Sequence, residues 1–173
     1  MRFFYCFIII GSVFTGCVIA ATPGEVGIGN YLREAKLRGL NTETKNLSDF
    51  RGKPLIINVW ASWCGPCRAE MGSLERLATR FNGNEFNVIG ISTDDYRDAA
   101  LGFIESTRIN FENFIDHKLE LEYMLGANTI PLTLLVDADG QVLHKARGVY
   151  EWDSPQVINA IAVAFNVKLT LVN

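Results

Sequence analysis

Two cysteines three residues apart, in Trp63-Cys64-Gly65-Pro66-Cys67, hold the most direct chemistry in this sequence. Such a pair closes a small ring as a disulfide and opens it by exchange, with thiolate as the attacking species. The flanking residues place it. Leu55–Trp60 is a short apolar, β-branched run, the pattern of a strand covered on both faces. Arg68–Phe81 carries Met71, Leu74, Leu77, Ala78 and Phe81 at helical spacing. The motif therefore falls at a strand-to-helix junction. There Cys64 meets unpaired N–H groups and the positive end of the helix dipole, both of which stabilise a thiolate. Cys67 follows one turn later, and Pro66 suits a first turn, where a missing N–H is harmless.

The other two cysteines, Cys6 and Cys17, lie in the apolar N-terminal run, so the domain itself holds only the one pair. A single bridge closing so short a loop restrains an unfolded chain very little, and its purpose is reactive. Half a zinc site is the competing reading, but it needs a second ligand pair. His117 and His144 are solitary and far apart in sequence, and read as ordinary surface or core residues. No metal and no organic cofactor is expected.

The positioning elements follow from pattern. After the first strand and helix, Phe86–Ile91 reads as a second buried strand, Asp95–Arg108 as a helix and Lys118–Leu125 as a shorter one. Leu132–Val136 and Gln141–Ala146 flank the turn Asp137-Ala138-Asp139-Gly140 as a hairpin, and Ser154-Pro155 opens a last helix to about Phe165. Tyr31–Leu37 reads as a short helix and 41–53 as polar and turn-rich. Asp94-Asp95 reads as a helix cap and Trp60 as core. The result is an α/β domain over 31–173 with a single mixed sheet and helices on both faces.

The chain has 173 residues and a net charge of −3 without a basic block, so no nucleic-acid surface is expected. Its N-terminus differs in kind. Arg2 is the only charge before Glu25, and the run Phe3–Ala21 is uncharged and mostly apolar, which addresses the chain to a membrane. Residues 1–21 are thus a signal peptide or a membrane anchor, and 22–30, with Pro23, Gly24, Gly27 and Gly29, a flexible tether. Retention as an anchor, cleavage after Ala20 and lipidation at Cys17 all remain open. Each places the domain on the non-cytoplasmic side, the periplasmic face of a bacterial inner membrane.

The segment Asn58-Val-Trp-Ala-Ser-Trp-Cys-Gly-Pro-Cys-Arg-Ala-Glu70 resembles the active-site segment of the TlpA/ResA/CcmG group of membrane-tethered thioredoxin-like proteins. Phe50-Arg-Gly-Lys-Pro54, Thr129-Ile-Pro131 before the hairpin, and Gly148–Pro155 extend the likeness over about residues 40–165. The resemblance implies a thioredoxin fold. It also implies Cys64 as attacking thiol, Cys67 as resolving thiol, and a cis peptide bond at Pro131 facing them. Ile130 would offer backbone groups to an extended substrate segment, a mode blind to substrate sequence. Trp63 would either touch the partner or shield the sulfurs. Glu70 would shuttle the proton of Cys67, the alternative being an exposed helix glutamate. Thioredoxin keeps a buried Asp where this chain has Asn58, which takes no proton. Gly72 stands where the group usually has a helix-kinking proline. Leu132 and Thr133 replace small polar residues and are expected to narrow substrate choice.

The same resemblance implies a thiol-disulfide oxidoreductase, a reductase serving cytochrome c maturation or copper-site assembly in cytochrome oxidase. Its partners would be a disulfide-containing substrate protein (apocytochrome c or a copper-site assembly protein) and a membrane thiol donor of the DsbD/CcdA type. A disulfide oxidase or isomerase is the rival direction, and a Cu(I) carrier using the two cysteines the rival class.

Overall fold

The computed structural model describes residues 24–169; the apolar run and its three membrane fates lie outside the described residues. The elements are β1 (Lys36–Gly39), β2 (Lys45–Asn46), a 3-10 turn (Leu47–Phe50), β3 (Leu55–Trp60), α1 (Gly65–Phe81), β4 (Asn87–Ser92) and α2 (Arg97–Thr107). They continue with β5 (Glu112–Ile115), α3 (Glu120–Leu125), β6 (Leu132–Val136), β7 (Val142–Arg147) and α4 (Pro155–Phe165). One seven-stranded sheet has the order β2-β1-β5-β4-β3-β6-β7. The pairs β3–β4 and β4–β5 are parallel, and β3–β6 and β6–β7 antiparallel. This is the expected mixed sheet.

β3 is buried along its whole length, and its residues alternate between two cores. Ile56 and Trp60 pack with Met71, Leu74, Leu77, Phe103, Ile158 and Ile161, so α1, α2 and α4 cover that face. Leu55, Ile57 and Val59 pack with Phe50, Leu121, Met124 and Leu125 under α3 and the 3-10 turn. Asn58 is thereby turned toward the α1 side.

Two expectations at the N-terminal side are corrected. The segment 24–30 is docked on the domain rather than a free tether. Val26 is buried, and its N–H donates to the Met124 carbonyl at 2.9 Å, while Gly29 N–H donates to Val142 O at 2.8 Å. The glycines serve turns here, with Gly24 and Gly29 at φ of 85° and 83°. Tyr31–Leu37 forms no helix: Tyr31 bridges Gln141, Leu32 N–H donates to Gly140 O, and β1 begins at Lys36. Leu32 and Leu37 are both buried but five residues apart, a spacing that suits an extended chain pressed on a sheet edge better than one helix face. A further strand, β5, lies where no element was expected. Its four residues, Glu-Asn-Phe-Ile, are too few for periodicity to show.

Candidate active site

Cys64 is the N-cap of α1, with Pro66 in the first turn. Its sulfur accepts the Cys67 N–H at 3.2 Å. Cys64 and Cys67 are joined as a disulfide with Cα atoms 5.3 Å apart. Cys67 is wholly buried and Cys64 keeps 6 % exposure, so of the two sulfurs that of Cys64 is the nearer to the surface. Trp63 beside it is 70 % exposed, a surface residue free to touch a partner, whereas Trp60 is in the core as expected.

The loop before α3's return to the sheet closes the site from the other side. The Ile130–Pro131 peptide is cis, and the Ile130 carbonyl oxygen lies 3.8 Å from Cys64 Sγ. Trp63, Thr93, Asp95, Leu119, Glu122, Asn128 and Ile130 line a groove of about 280 Å³ along this edge. Leu132 and Thr133 do not face it. Both are buried in β6, Leu132 in the α3-side core and Thr133 bonded to Asn58, so the expectation that they select substrates is corrected.

Glu70 is one turn beyond Cys67 and only 1 % exposed, so the reading as a solvent-exposed helix residue fails. Its Oε1 accepts from Asn58 Nδ2 at 2.8 Å, and Oε2 from Tyr150 N–H and Trp152 Nε1–H, each at 3.1 Å. Burial raises its proton affinity above the ordinary carboxylate value, and the three hydrogen bonds, which favour the charged form, only partly oppose it. Asn58 also donates to Thr133 Oγ1 at 2.9 Å, while its Oδ1 has no partner among the described residues.

Two supports escaped sequence reasoning. Asp94 caps no helix: the N-cap of α2 is Tyr96, and Asp94 instead accepts from Ser62 N–H (2.8 Å), Ser62 Oγ (2.6 Å) and Ser92 Oγ (2.7 Å). It ties the loop carrying the motif to the end of β4. The segment 150–153 clamps α1 through Glu70, through Ser73 Oγ, which accepts the Trp152 N–H at 3.0 Å, and through Arg76, which pairs with Glu151 and Asp153. An aromatic-acidic stretch just before a helix was the only available signal. α1 runs uninterrupted through Gly72. His117 stands exposed beside Arg38, and His144 is exposed on β7.

The sequence profile described as Redoxin matches residues 28–161. The thiol-disulfide oxidoreductase ResA of Bacillus thuringiensis subsp. konkukian is 29% identical over 124 residues, 72% of either chain. ResA of Bacillus subtilis is 24% identical over 112 residues, 65% of this chain and 63% of that one. Among solved structures, a Chlorobium tepidum protein assigned as the thiol:disulfide interchange protein DsbE superposes with a TM-score of 0.74 at 26% identity, over 81% of this chain and 99% of the other. A Bacteroides thetaiotaomicron protein assigned as a protein disulfide isomerase gives 0.67 at 25%, over 80% and 87%. With a motif disulfide at the start of α1 and a cis-proline loop against it, the chain belongs to the redoxin family and is a thioredoxin-fold thiol-disulfide oxidoreductase of the ResA/DsbE type.

Proposed function

We propose that this protein is a reductase of partner-protein disulfides, held by its N-terminus on the outer face of a bacterial inner membrane and serving cytochrome c maturation or copper-site assembly. In the forward reaction the Cys64 thiolate attacks one sulfur of a partner disulfide. A mixed disulfide forms and the partner's other sulfur leaves as thiolate. Cys67, giving its proton to Glu70, then attacks the Cys64 sulfur and expels the second partner thiolate. Two electrons pass to the partner, which ends as a dithiol, and Cys64–Cys67 ends as the disulfide. A membrane thiol donor of the DsbD/CcdA type resets the pair, because the bacterial exterior is oxidising. Trp63 and the Ile130 backbone border the reacting sulfur and bind the substrate segment.

The observation that carries this reading is the difference between the two sulfurs. Cys64 is at the helix N-terminus and keeps slight exposure, whereas Cys67 is wholly buried with Glu70 one turn behind it. That arrangement suits attack by one thiol and resolution by the other. The Gly-Pro dipeptide between them is thioredoxin's own, which favours a reducing potential. The likeness to a structure assigned as an isomerase keeps a disulfide oxidase or isomerase as a second reading. Equilibration in thiol redox buffers, with trapping of free cysteines, decides between them. A potential near or below about −270 mV is expected of a reductase, and one near about −120 mV overturns the direction.

A further inference from the structure

The end of the sheet that carries the disulfide holds most of the exposed large apolar side chains among the described residues, with Ile28 and Tyr31 beside the hairpin and Val163 on α4 as the others. Trp63 and Tyr96 follow the C-terminal ends of β3 and β4, and Val149 and Tyr150 follow the end of β7. They are 70, 77, 52 and 40 % exposed. Tyr123, 61 % exposed, sits on α3, in the segment that leaves this end at Asp116 and returns to it at Pro131. Trp and Tyr with an apolar body and a polar tip are the side chains that settle at a membrane–water interface. The same end holds Asp95 and Glu122 as well as Arg68 and Arg147, so its charge gives no preference for anionic lipid.

The docked N-terminal segment says what covers this fringe. Glu25 Oε1 pairs with Lys145 Nζ at 2.5 Å and lies 3.7 Å from an Arg147 nitrogen; the Glu25 and Lys145 side chains are only 13 % and 9 % exposed. Lys145 and Arg147 in turn donate to the carbonyls of Leu125 and Gly126. The chain thus enters the domain beside Gly126, four residues before Ile130, whose carbonyl lies against Cys64. Only Thr22 and Pro23 separate the last residue of the apolar run, Ala21, from Gly24, a reach of about 10 Å. We propose that the exposed aromatic fringe around the Cys64–Cys67 disulfide lies on the lipid headgroup surface, so that the active-site end of the domain faces the bilayer. This rests on the reading that residues 3–21 hold the chain in the membrane. A long free tether would let the domain tumble; a strap pinned by a part-buried ion pair does not.

The test uses the full chain, oxidised and reconstituted in phosphatidylcholine vesicles containing a headgroup nitroxide lipid. Trp63→Phe protein supplies the signal of Trp60 and Trp152 for subtraction. The emission of Trp63 is expected to lose most of its intensity. An Asp139→Trp reporter in the Trp63→Phe protein, at the hairpin on the opposite end of the sheet, is expected to keep its intensity. Tyr96→Ser/Tyr150→Ser protein is expected to lose part of the Trp63 quenching. Equal quenching at both ends, or an unquenched Trp63 in vesicle-bound protein, overturns the orientation and assigns the fringe to a protein partner. Protein that lacks residues 1–20 by mass and does not sediment with vesicles overturns membrane attachment itself, and the orientation with it.

Discussion

Glu70→Ala removes the acceptor for three donors, Asn58 Nδ2, the Tyr150 N–H and Trp152 Nε1–H. Asn58 is fully buried and Trp152 is 3 % exposed, so neither of these side chains can turn to solvent, whereas the Tyr150 N–H is part-buried. Each donor left unpaired costs about 1–3 kcal/mol, and Asn58 keeps its Thr133 partner, so the loss falls on Tyr150 and Trp152 and is about 2–6 kcal/mol. With a urea m-value of about 2 kcal/mol/M, the midpoint falls by about 1–3 M. Glu70→Gln behaves differently. Its carbonyl serves Tyr150 and Trp152, and its amide meets Asn58, which rotates to present the Oδ1 that now lacks a partner. The expected cost is about 1 kcal/mol. The pH dependence has a fixed sign. Burial raises the folded-state proton affinity above the ordinary value of 4.5, so the native state holds a proton the unfolded chain has released. That stability is complete below 4.5 and is lost as pH rises through the folded-state value. The wild-type advantage over Glu70→Gln, a variant that does not titrate there, therefore narrows with rising pH. Urea unfolding of the three oxidised proteins across pH measures this. An alanine variant with a midpoint within about 0.5 M of wild type, about 1 kcal/mol at that m-value, refutes the reasoning. So does a glutamine variant as damaged as alanine.

Three further expectations follow from particular contacts. Cys67→Ala protein cannot resolve its mixed disulfide, so substrate proteins accumulate as adducts on Cys64, visible by non-reducing electrophoresis and mass; rapid release without an external thiol contradicts the assignment of roles. Asp94→Ala removes the acceptor of three hydrogen bonds that hold the Ser62–Trp63 loop to β4, with an expected loss of about 2–4 kcal/mol and slower disulfide exchange. Unchanged stability and rate contradict it. Gly126 has φ of 75°, and a Cβ there meets Glu25 Cδ at 2.1 Å. Gly126→Ala is expected to destabilise by more than the roughly 1–2 kcal/mol of the left-handed backbone alone. The Glu25→Ala background is expected to remove the excess, a coupling that a double-mutant cycle reads directly.

Elements with strong local patterns were legible. β3, β6 and α1 carry continuous or periodic apolar residues, and α4 announces its start through Ser154, which accepts the Val157 N–H, and Pro155. β1 and β5 were not, because strands of four residues hold too few side chains to display a period. The strap 24–32 was misread for another reason. Its glycines fit a linker and a docked turn equally well, and only the partners Met124, Val142 and Gly140 separate the two.

The redox pair itself was determined by sequence alone. Its chemistry needs two thiols one turn apart at a helix start, and every requirement lies within a few consecutive residues. Whether Glu70 faces water or core was decided only by tertiary structure, since its partners Asn58, Tyr150 and Trp152 come from a strand before it and a segment some eighty residues after it. The same holds for Asp94, placed by β3 and β4 lying side by side, and for Leu132 and Thr133, turned inward by the β3–β6 register. Proton affinity and accessibility depend on which distant groups displace water around a side chain, and that arrangement exists only once the sheet has assembled.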